Sequence, residues 1–562
     1  MDERPTSPIR QGITDTVTAC RRGWDTLCTS GMGQVRFWFI ALAVGIASGL
    51  AAIAFRFGID WLQSTLYGTD DVAALHSVAA GLEWWWLIII PVVGGLVVGL
   101  ILYRTTSDQR VHSVSDVIEG AALYDGRLKV KRGVGSALAS LITLSSGGST
   151  GREGPVVHIA ALIATGVNNW LKVDGITGRD LLGCAVAAAV SASFNAPIAG
   201  ALFALEVVLR HFALHAFAPI VIASVAGTVI SRMAFGDVTE FYIPGQNALA
   251  FYVELPAYML LGLLCGLVAV IFMRTLFWTD RAATHYQQRI GLHPVLRPAV
   301  AGLLLGLIAV VFPHIIGVGY ETTSDALTGR LLFHEAVVFT IVKVIAVAIT
   351  FGGRMGGGVF SPSLMVGAMT GLAFGIVATA IFPDVSGSAA LYALAGMGGV
   401  AAAVLGAPIS TTLIVFELTG DWQTGLAVMV TVSLSSAVAA RIVDRSFFLT
   451  QLEQRGVHLA AGPQAYLLST FQVTSVMRSM DHPKAADAEA CARLINEGTY
   501  VAEGKTLDQA MPILEASNSN FIPVVRAGTG DGPPELRGAL FQVDALRAFN
   551  RALAATAEEE HR

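Results

Sequence analysis

Six uncharged apolar stretches, at 37–55, 84–103, 181–205, 256–273, 355–383 and 385–416, are each long enough to cross a bilayer. A hydrocarbon core of about 30 Å takes roughly 20 helical residues. Glycine and proline interrupt these stretches at turns such as Gly147-Gly148, Gly352-Gly353, Gly356-Gly357-Gly358 and Gly396-Met397-Gly398-Gly399. Backbone that is not helical cannot face lipid, because each unpaired polar group there costs several kcal/mol. The interruptions therefore predict broken and re-entrant helices enclosing a cavity, in an all-α polytopic membrane protein. Charged residues make up 14% of the chain, against roughly 25% in soluble domains.

The two halves repeat each other. Asn195-Ala196-Pro197-Ile198 is followed by Glu206, and Gly406-Ala407-Pro408-Ile409 by Glu417, the glutamate falling nine residues after the proline in both. Earlier, Gly147-Gly148 with Pro155 corresponds to Gly352-Gly353 with Pro362. Duplicated membrane units with breaks in matching positions place a site at the midplane, where the repeats meet. The organisation read from these patterns is an N-terminal segment (1–36) and a membrane domain (37–448) with repeats at about 37–235 and 250–440. A polar linker (449–472), a small α/β unit (473–555) and an acidic tail (556–562) follow. Within the small unit, 507–516 has helical spacing, 521–525 and 536–541 read as strands around a Gly/Pro loop at 527–534, and 543–553 reads as a helix.

A net charge of −5 and the lack of a basic run with interleaved aromatics argue against a nucleic-acid partner. Cys20, Cys28, Cys184, Cys265 and Cys491 have no metal spacing and read as packing residues or idle thiols. The first 36 residues are polar with no apolar core, so no cleaved signal is expected. Arg10, Arg21, Arg22 and Arg36 before the first span put the N-terminus in the cytoplasm.

The turn that carries chemistry is Gly147-Gly148-Ser149-Thr150-Gly151-Arg152-Glu153-Gly154-Pro155, which opens into an apolar run. The spacing predicts a helix starting at Pro155, whose missing N–H costs nothing there. Free amides, glycines that let them point inward and the positive helix end make an anion site. Glu153, a carboxylate in the same turn, would compete internally for that site.

Together, Gly151-Arg152-Glu153-Gly154-Pro155, Gly358-Val359-Phe360-Ser361-Pro362, Asn195-Ala196-Pro197 with Glu206, and Glu417-Leu418-Thr419-Gly420-Asp421 resemble the CLC family of chloride channels and proton/chloride exchangers. The resemblance covers most of 37–455 and implies an inverted-repeat fold, chloride as the transported ligand and a homodimer in the lipid bilayer, in a bacterial inner membrane. It implies an outer anion site at the amides of Arg152, Glu153 and Gly154. A central site would use the amides of Val359 and Phe360, a serine hydroxyl at Ser113 and a tyrosine hydroxyl. Glu153 would be the gate, blocking the path when ionised and swinging away when protonated.

Three departures from the family pattern bear on mechanism. Around Ser113 the usual Gly-Ser-Gly-Ile-Pro is His112-Ser113-Val114-Ser115-Asp116, which leaves anion selectivity open; His112 is either a pH-sensitive group near the path or a hydrogen-bonded structural histidine. The glutamate that carries protons from the cytoplasm in the exchangers follows the position of Glu206, and here it is Val207. The usual proton route is therefore missing, so anion transport is expected to be uncoupled or weakly coupled. The alternative is an antiporter with another inner route, for which Glu206 is one candidate. The central tyrosine becomes Phe448, without a hydroxyl.

Lys343 is the one basic residue in its apolar segment and either raises the anion potential from a distance or snorkels to the interface. His211 and His215 are four apart, but nothing nearby completes a metal site. The tail resembles a CBS domain, with the start of one copy at 473–478 and a fairly complete copy at 499–553. The resemblance implies an adenine nucleotide as the tail's ligand, although the tail lacks a glycine-rich phosphate loop; no other cofactor is expected. An intramembrane enzyme built on Glu206, Glu417 and the histidines has no supporting motif. The broken-helix repeat also argues against a nucleotide sensor with a mere membrane anchor.

Overall fold

The chain is described by a computed structural model covering residues 34–69, 74–173, 175–212, 214–236, 251–457, 459, 468, 471–517, 519–526 and 535–560. Arg10, Arg21, Arg22, Cys20, Cys28, most of 458–470 and the 527–534 loop lie outside the described residues.

The first repeat holds α1 (Gln34–Tyr67), α2 (Leu75–Ala80), α3 (Trp84–Thr105), α4 (Val114–Leu123), α5 (Val130–Ser145), α6 (Glu153–Leu171), α7 (Gly175–Phe194), α8 (Pro197–Phe203) and α9 (Leu214–Phe235). A π-helical turn, Ala204–Leu209, follows α8. The second repeat holds α10 (Phe251–Ile290), α11 (Arg297–Val311), α12 (Tyr320–Leu327), α13 (Phe333–Gly352), α14 (Phe360–Ile381), α15 (Ala389–Leu405), α16 (Pro408–Thr419) and α17 (Trp422–Ile442). Among the described residues, eight helices are long and apolar enough to span a membrane.

Two expected spans are interrupted. The 181–205 stretch stops at Phe194, Asn195 takes a left-handed φ of 56°, and α8 restarts at Pro197. The 385–416 stretch likewise stops at Leu405, turns at Gly406 (φ 69°) and restarts at Pro408. A left-handed residue ends each first helix, and proline, lacking the N–H a continuing helix would need, starts each second one. In the 355–383 stretch helix begins only at Phe360.

The restarted helices explain the matched glutamates. Glu417 accepts hydrogen bonds from the N–H groups of Ile198 and Ala199 (3.0 and 2.8 Å), at the start of α8. Glu206 accepts from the N–H groups of Ile409 and Ser410 (2.9 and 2.8 Å) and from the Ser410 hydroxyl (2.7 Å), at the start of α16. Each repeat thus caps the other's broken helix with a carboxylate, where the positive helix end favours one.

Small residues let the helices close on each other. A Cβ at Gly371 of α14 would lie 2.1 Å from the Tyr392 carbonyl oxygen of α15, and one at Gly367 would lie 2.4 Å from that of Gly396. Van der Waals contact at this range, rather than hydrophobicity, holds helices together in lipid.

After the second repeat, the stretch expected as linker from 449 begins as helix α18 (Phe447–Glu453), with Phe447, Phe448 and Leu452 buried in the membrane-domain core. The C-terminal unit contains α19 (Val473–Val476), β1 (Arg478–Ser479), α20 (Ala488–Asn496), β2 (Val501–Ala502), α21 (Leu507–Ala516), β3 (Phe521–Arg526), β4 (Glu535–Phe541) and α22 (Gln542–Glu560). Its sheet runs β1-β4-β3-β2, with β2 and β3 parallel and the other pairs antiparallel. Val473, Leu507, Leu514, Ile522, Val524 and Leu540 fill a core of its own.

Candidate functional site

The glycine turns of the two repeats meet. Gly151 N–H donates to the Gly358 carbonyl (2.8 Å) and Gly358 N–H to the Gly151 carbonyl (2.7 Å), a two-bond bridge across the repeat interface. The Thr150 hydroxyl adds a third bond to the Gly358 carbonyl at 2.9 Å. A Cβ at Gly358 would lie 3.0 Å from the Gly154 nitrogen, so only glycine lets the backbones come this close. The bridge sets the N-terminal ends of α6 and α14 beside each other. Both are positive helix ends with amides that have no partner inside their own helix.

Helix α6 begins at Glu153, two residues before the expected start at Pro155, and Glu153 is only 2% exposed. Its Oε1 accepts from the Ser361 hydroxyl, in the first turn of α14, and from the Tyr320 hydroxyl at 3.3 Å. Its Oε2 is buried with no hydrogen-bond partner among the described residues. The carboxylate thus rests at the start of the opposite repeat's helix, a position suited to any anion. The Arg152 guanidinium lies over the Tyr320 ring, 5.0 Å from its centre.

Next to this turn is a cavity of about 60 Å³ lined by Ser113, Val359 and Phe448 together with Arg110, Arg354 and Arg455. Gly154 borders Ser113, since a Cβ there would lie 2.6 Å from the Ser113 oxygen. The structure therefore brings Ser113, Glu153, Gly154, Val359 and Phe448 to one place. Phe360 is buried against the rings of Phe194 and Phe203, 4.7 and 5.9 Å away. Val207 is buried in the π-helical turn, and Glu206 beside it is held by the α16 cap.

The unusual sequence around Ser113 has a local purpose. Asp116 accepts the Ser113 N–H (2.8 Å), pairs with Arg455 (2.8 Å), which comes from just beyond α18, and hydrogen-bonds His112. Burial alone would lower the His112 pKa, but hydrogen bonds and charges from Asp108 and Asp116 outweigh it and push it up to about 9. His112 is therefore a hydrogen-bonded cation at neutral pH.

Lys343 does not snorkel. It is fully buried, and its ammonium donates to the carbonyls of Ile315, Gly317 and Val318 at 3.3, 3.1 and 3.4 Å. It pins the segment leading to Tyr320, which touches Glu153. His215 pairs with Asp180 at 3.3 Å, and among the described residues no cluster of three metal-ligating side chains occurs.

The family model described as "Voltage gated chloride channel" matches residues 94–440, well over half of the chain. The chain belongs to the CLC family. It is 32% identical over 394 residues to a ClcB-like chloride channel protein of Ralstonia nicotianae, covering 69% of this chain and 90% of that one. It is 30% identical over 390 residues to the voltage-gated ClC-type chloride channel ClcB of Salmonella typhimurium, covering 68% and 91%. Among solved structures, a slow cyanobacterial Cl−/H+ antiporter superposes with a TM-score of 0.67 at 21% identity, covering 75% of this chain and 98% of that one. A eukaryotic CLC transporter superposes at 0.65 and 18%, covering 91% and 98%. These two likenesses show the fold.

In this CLC protein, sequence reasoning missed Tyr320, the three arginines and the role of Ser361. Ser361 stood in a quoted motif as its variable position. Tyr320, 167 residues from Glu153 in the chain, gave no local signal.

Proposed function

We propose that this CLC protein moves chloride through the membrane along a path between the starts of α6 and α14, gated by Glu153. The observation that carries the reading is the buried Glu153 carboxylate lying at the start of the opposite repeat's helix. Ionised, it fills an anion position; protonated, it loses the charge that holds it there and yields to chloride. Amides from Gly154, Val359 and Phe360 and the Ser113 hydroxyl would hold the ion without a full charge that traps it. Arg110, Arg354 and Arg455 at the cavity would raise the local anion concentration.

Basic residues support the orientation with the N-terminus in the cytoplasm. Arg36 lies at the start of α1, Arg104 in the last turn of α3, Arg110 just beyond it, and Lys129, Lys131 and Arg132 around the start of α5; with α1 and α3 as two successive crossings, these basic ends would share the cytoplasmic side. The membrane would be a bacterial inner membrane and the assembly a homodimer, as the family implies. The C-terminal unit, one sheet with its own core, suits a single CBS-like module.

Transport is uncoupled from protons along the family's inner route. Val207 cannot titrate, and the Glu206 carboxylate is engaged by three donors. An exchanger would need another inner proton residue. The test is chloride efflux from proteoliposomes, comparing wild type with Glu153→Gln between pH 4.5 and 8. Wild-type flux should rise as pH falls, and the variant should be fast at every pH. A variant with the wild-type pH profile would refute the gate.

A further inference from the structure

A cavity of about 480 Å³ lies between the end of α4, the start of α5 and one side of α6. Its size falls within the roughly 300–1,000 Å³ of small-molecule pockets, and none of its lining residues borders the small cavity at Ser113. The charges around it are unevenly matched. Asp116 is shared by His112 and Arg455, and Asp125 lies 3.8 Å from Arg127, whose guanidinium also donates to the Val173 carbonyl at 3.0 Å. Lys129 and Arg132 also line the cavity, and they form no ion pair within 4 Å among the described residues. Glu119, in the same lining, acts on Lys129 only electrostatically. Both cations sit at the start of α5, where the helix's own positive end repels them, so the arrangement favours a bound anion.

The inner wall adds an acceptor with nothing to accept. His158 of α6 is 3% exposed, and its Nδ1 lies 3.3 Å from the Ser113 carbonyl oxygen, which puts the ring proton on Nδ1. Nε2 is then a bare acceptor, buried with no hydrogen-bond partner among the described residues. A buried polar atom left this way calls for an unseen water or a ligand. A Cβ at Gly133, another lining residue, would come within 2.9 Å of Nε2, so no side chain closes it off on that side. We propose that this cavity binds a phosphate ester that carries free hydroxyl groups, a polyol phosphate. The phosphate meets Lys129 and Arg132, and the hydroxyls donate to His158 Nε2 and to the Glu119 carboxylate. A bare inorganic anion would leave the two acceptors unserved, and a cation would leave Lys129 and Arg132 opposed.

Two sources share this chemistry, a membrane lipid with a phosphoglycerol headgroup and a soluble glycerol phosphate. The surface beside the cavity favours the lipid. Val130, Val134 and Leu138 of α5, each 49% exposed, form an apolar stripe one turn apart that leads away from Lys129 and Arg132. Leu123 and Tyr124 are exposed in the cavity lining itself. A basic pocket opening beside an apolar helix surface is where an anionic headgroup sits while its acyl chains lie along the helix. The site is separate from the Glu153 turn, so the inference does not depend on the gate.

The test is native mass spectrometry of the delipidated full chain in mild detergent, for wild type, the double variant Lys129→Gln with Arg132→Gln, and His158→Phe. The probes are dioctanoyl phosphatidylglycerol, dioctanoyl phosphatidylethanol, which keeps the single negative charge and lacks the hydroxyls, and glycerol phosphate. The melting temperature of each variant without probe checks its fold, and the double variant changes side chains outside the core. Phosphatidylglycerol should bind wild type about tenfold more tightly than the double variant. Phosphatidylethanol should bind wild type more weakly than phosphatidylglycerol does, and His158→Phe should narrow that difference. Displacement of the lipid by glycerol phosphate would support the proposal with a soluble ligand, and lipid binding without displacement would support it with the headgroup. A double variant that binds phosphatidylglycerol as wild type does, or a wild type that holds the two lipids equally, would overturn it.

Discussion

Removing the acceptor from one of the exchanged caps tests whether Glu206 is a structural residue. In Glu206→Ala the N–H groups of Ile409 and Ser410 and the Ser410 hydroxyl lose their partner. A hydrogen bond to a charged group contributes about 1.5–3 kcal/mol, and water replaces part of that where the site is half-open. Ile409 is 48% exposed, so we expect a loss of about 3 kcal/mol rather than the full sum of about 5–9. Glu417→Ala, which strips two bonds, should cost about 2–3 kcal/mol. The two caps bridge the same pair of helices, so the double variant should lose less than the sum of the singles. The assay is reversible unfolding in mixed micelles followed by tryptophan fluorescence, run beside chloride flux against pH. Glu206→Gln keeps an acceptor oxygen and should recover about half the loss with an unchanged flux profile. If Glu206→Ala left stability intact but changed the pH dependence of flux, Glu206 would be a titrating transport group and the cap argument would fail.

Other perturbations separate the remaining parts of the account. Gly358→Ala puts a Cβ 3.0 Å from the Gly154 nitrogen, which is backbone and cannot swing aside, so flux should fall at least tenfold. Gly166→Ala, with nothing within 4 Å, should be silent in the same assay. Tyr320→Phe removes a long hydrogen bond that holds the Glu153 carboxylate in place, about 1 kcal/mol, and should raise flux at neutral pH about fivefold; unchanged flux would mean the hydroxyl does not restrain the gate. His112, pushed up to about 9 from an ordinary value near 6.5, stabilises the fold fully below about pH 6.5, and that contribution fades as pH rises through about 9. The wild type should therefore lose on the order of 3 kcal/mol between pH 6.5 and 10, while His112→Gln starts lower and stays flat; parallel curves would refute the assignment.

Much of the fold could be read from the chain because membrane folding leaves local traces. The apolar stretches, the glycine turns and the matched Ala-Pro-Ile segments follow from what lipid forbids, and each is visible within a dozen residues. The breaks at Asn195 and Gly406 were less legible, since composition alone reads straight through them and only the left-handed turn before each proline ends the helix. Individual side-chain partnerships between distant segments left no local trace, even where, as for Glu206 and Glu417, the residues themselves stood out. Ser361 meets Glu153 across 208 positions, and Arg455 meets Asp116 across 339. Such pairs depend on how two halves face each other, which residue spacing does not encode. Lys343 shows the same limit: its charge stood out, but the three carbonyls that hold it come from a different segment.

The account depends on an anion resting between the starts of α6 and α14, where the Glu153 carboxylate lies when ionised. Anomalous diffraction from crystals of Glu153→Gln grown in bromide tests this most directly. A bromide peak within hydrogen-bonding distance of the amides of Gly154, Val359 or Phe360, at the place the wild-type carboxylate occupies, is the predicted result. Bromide bound only elsewhere in these crystals would contradict it.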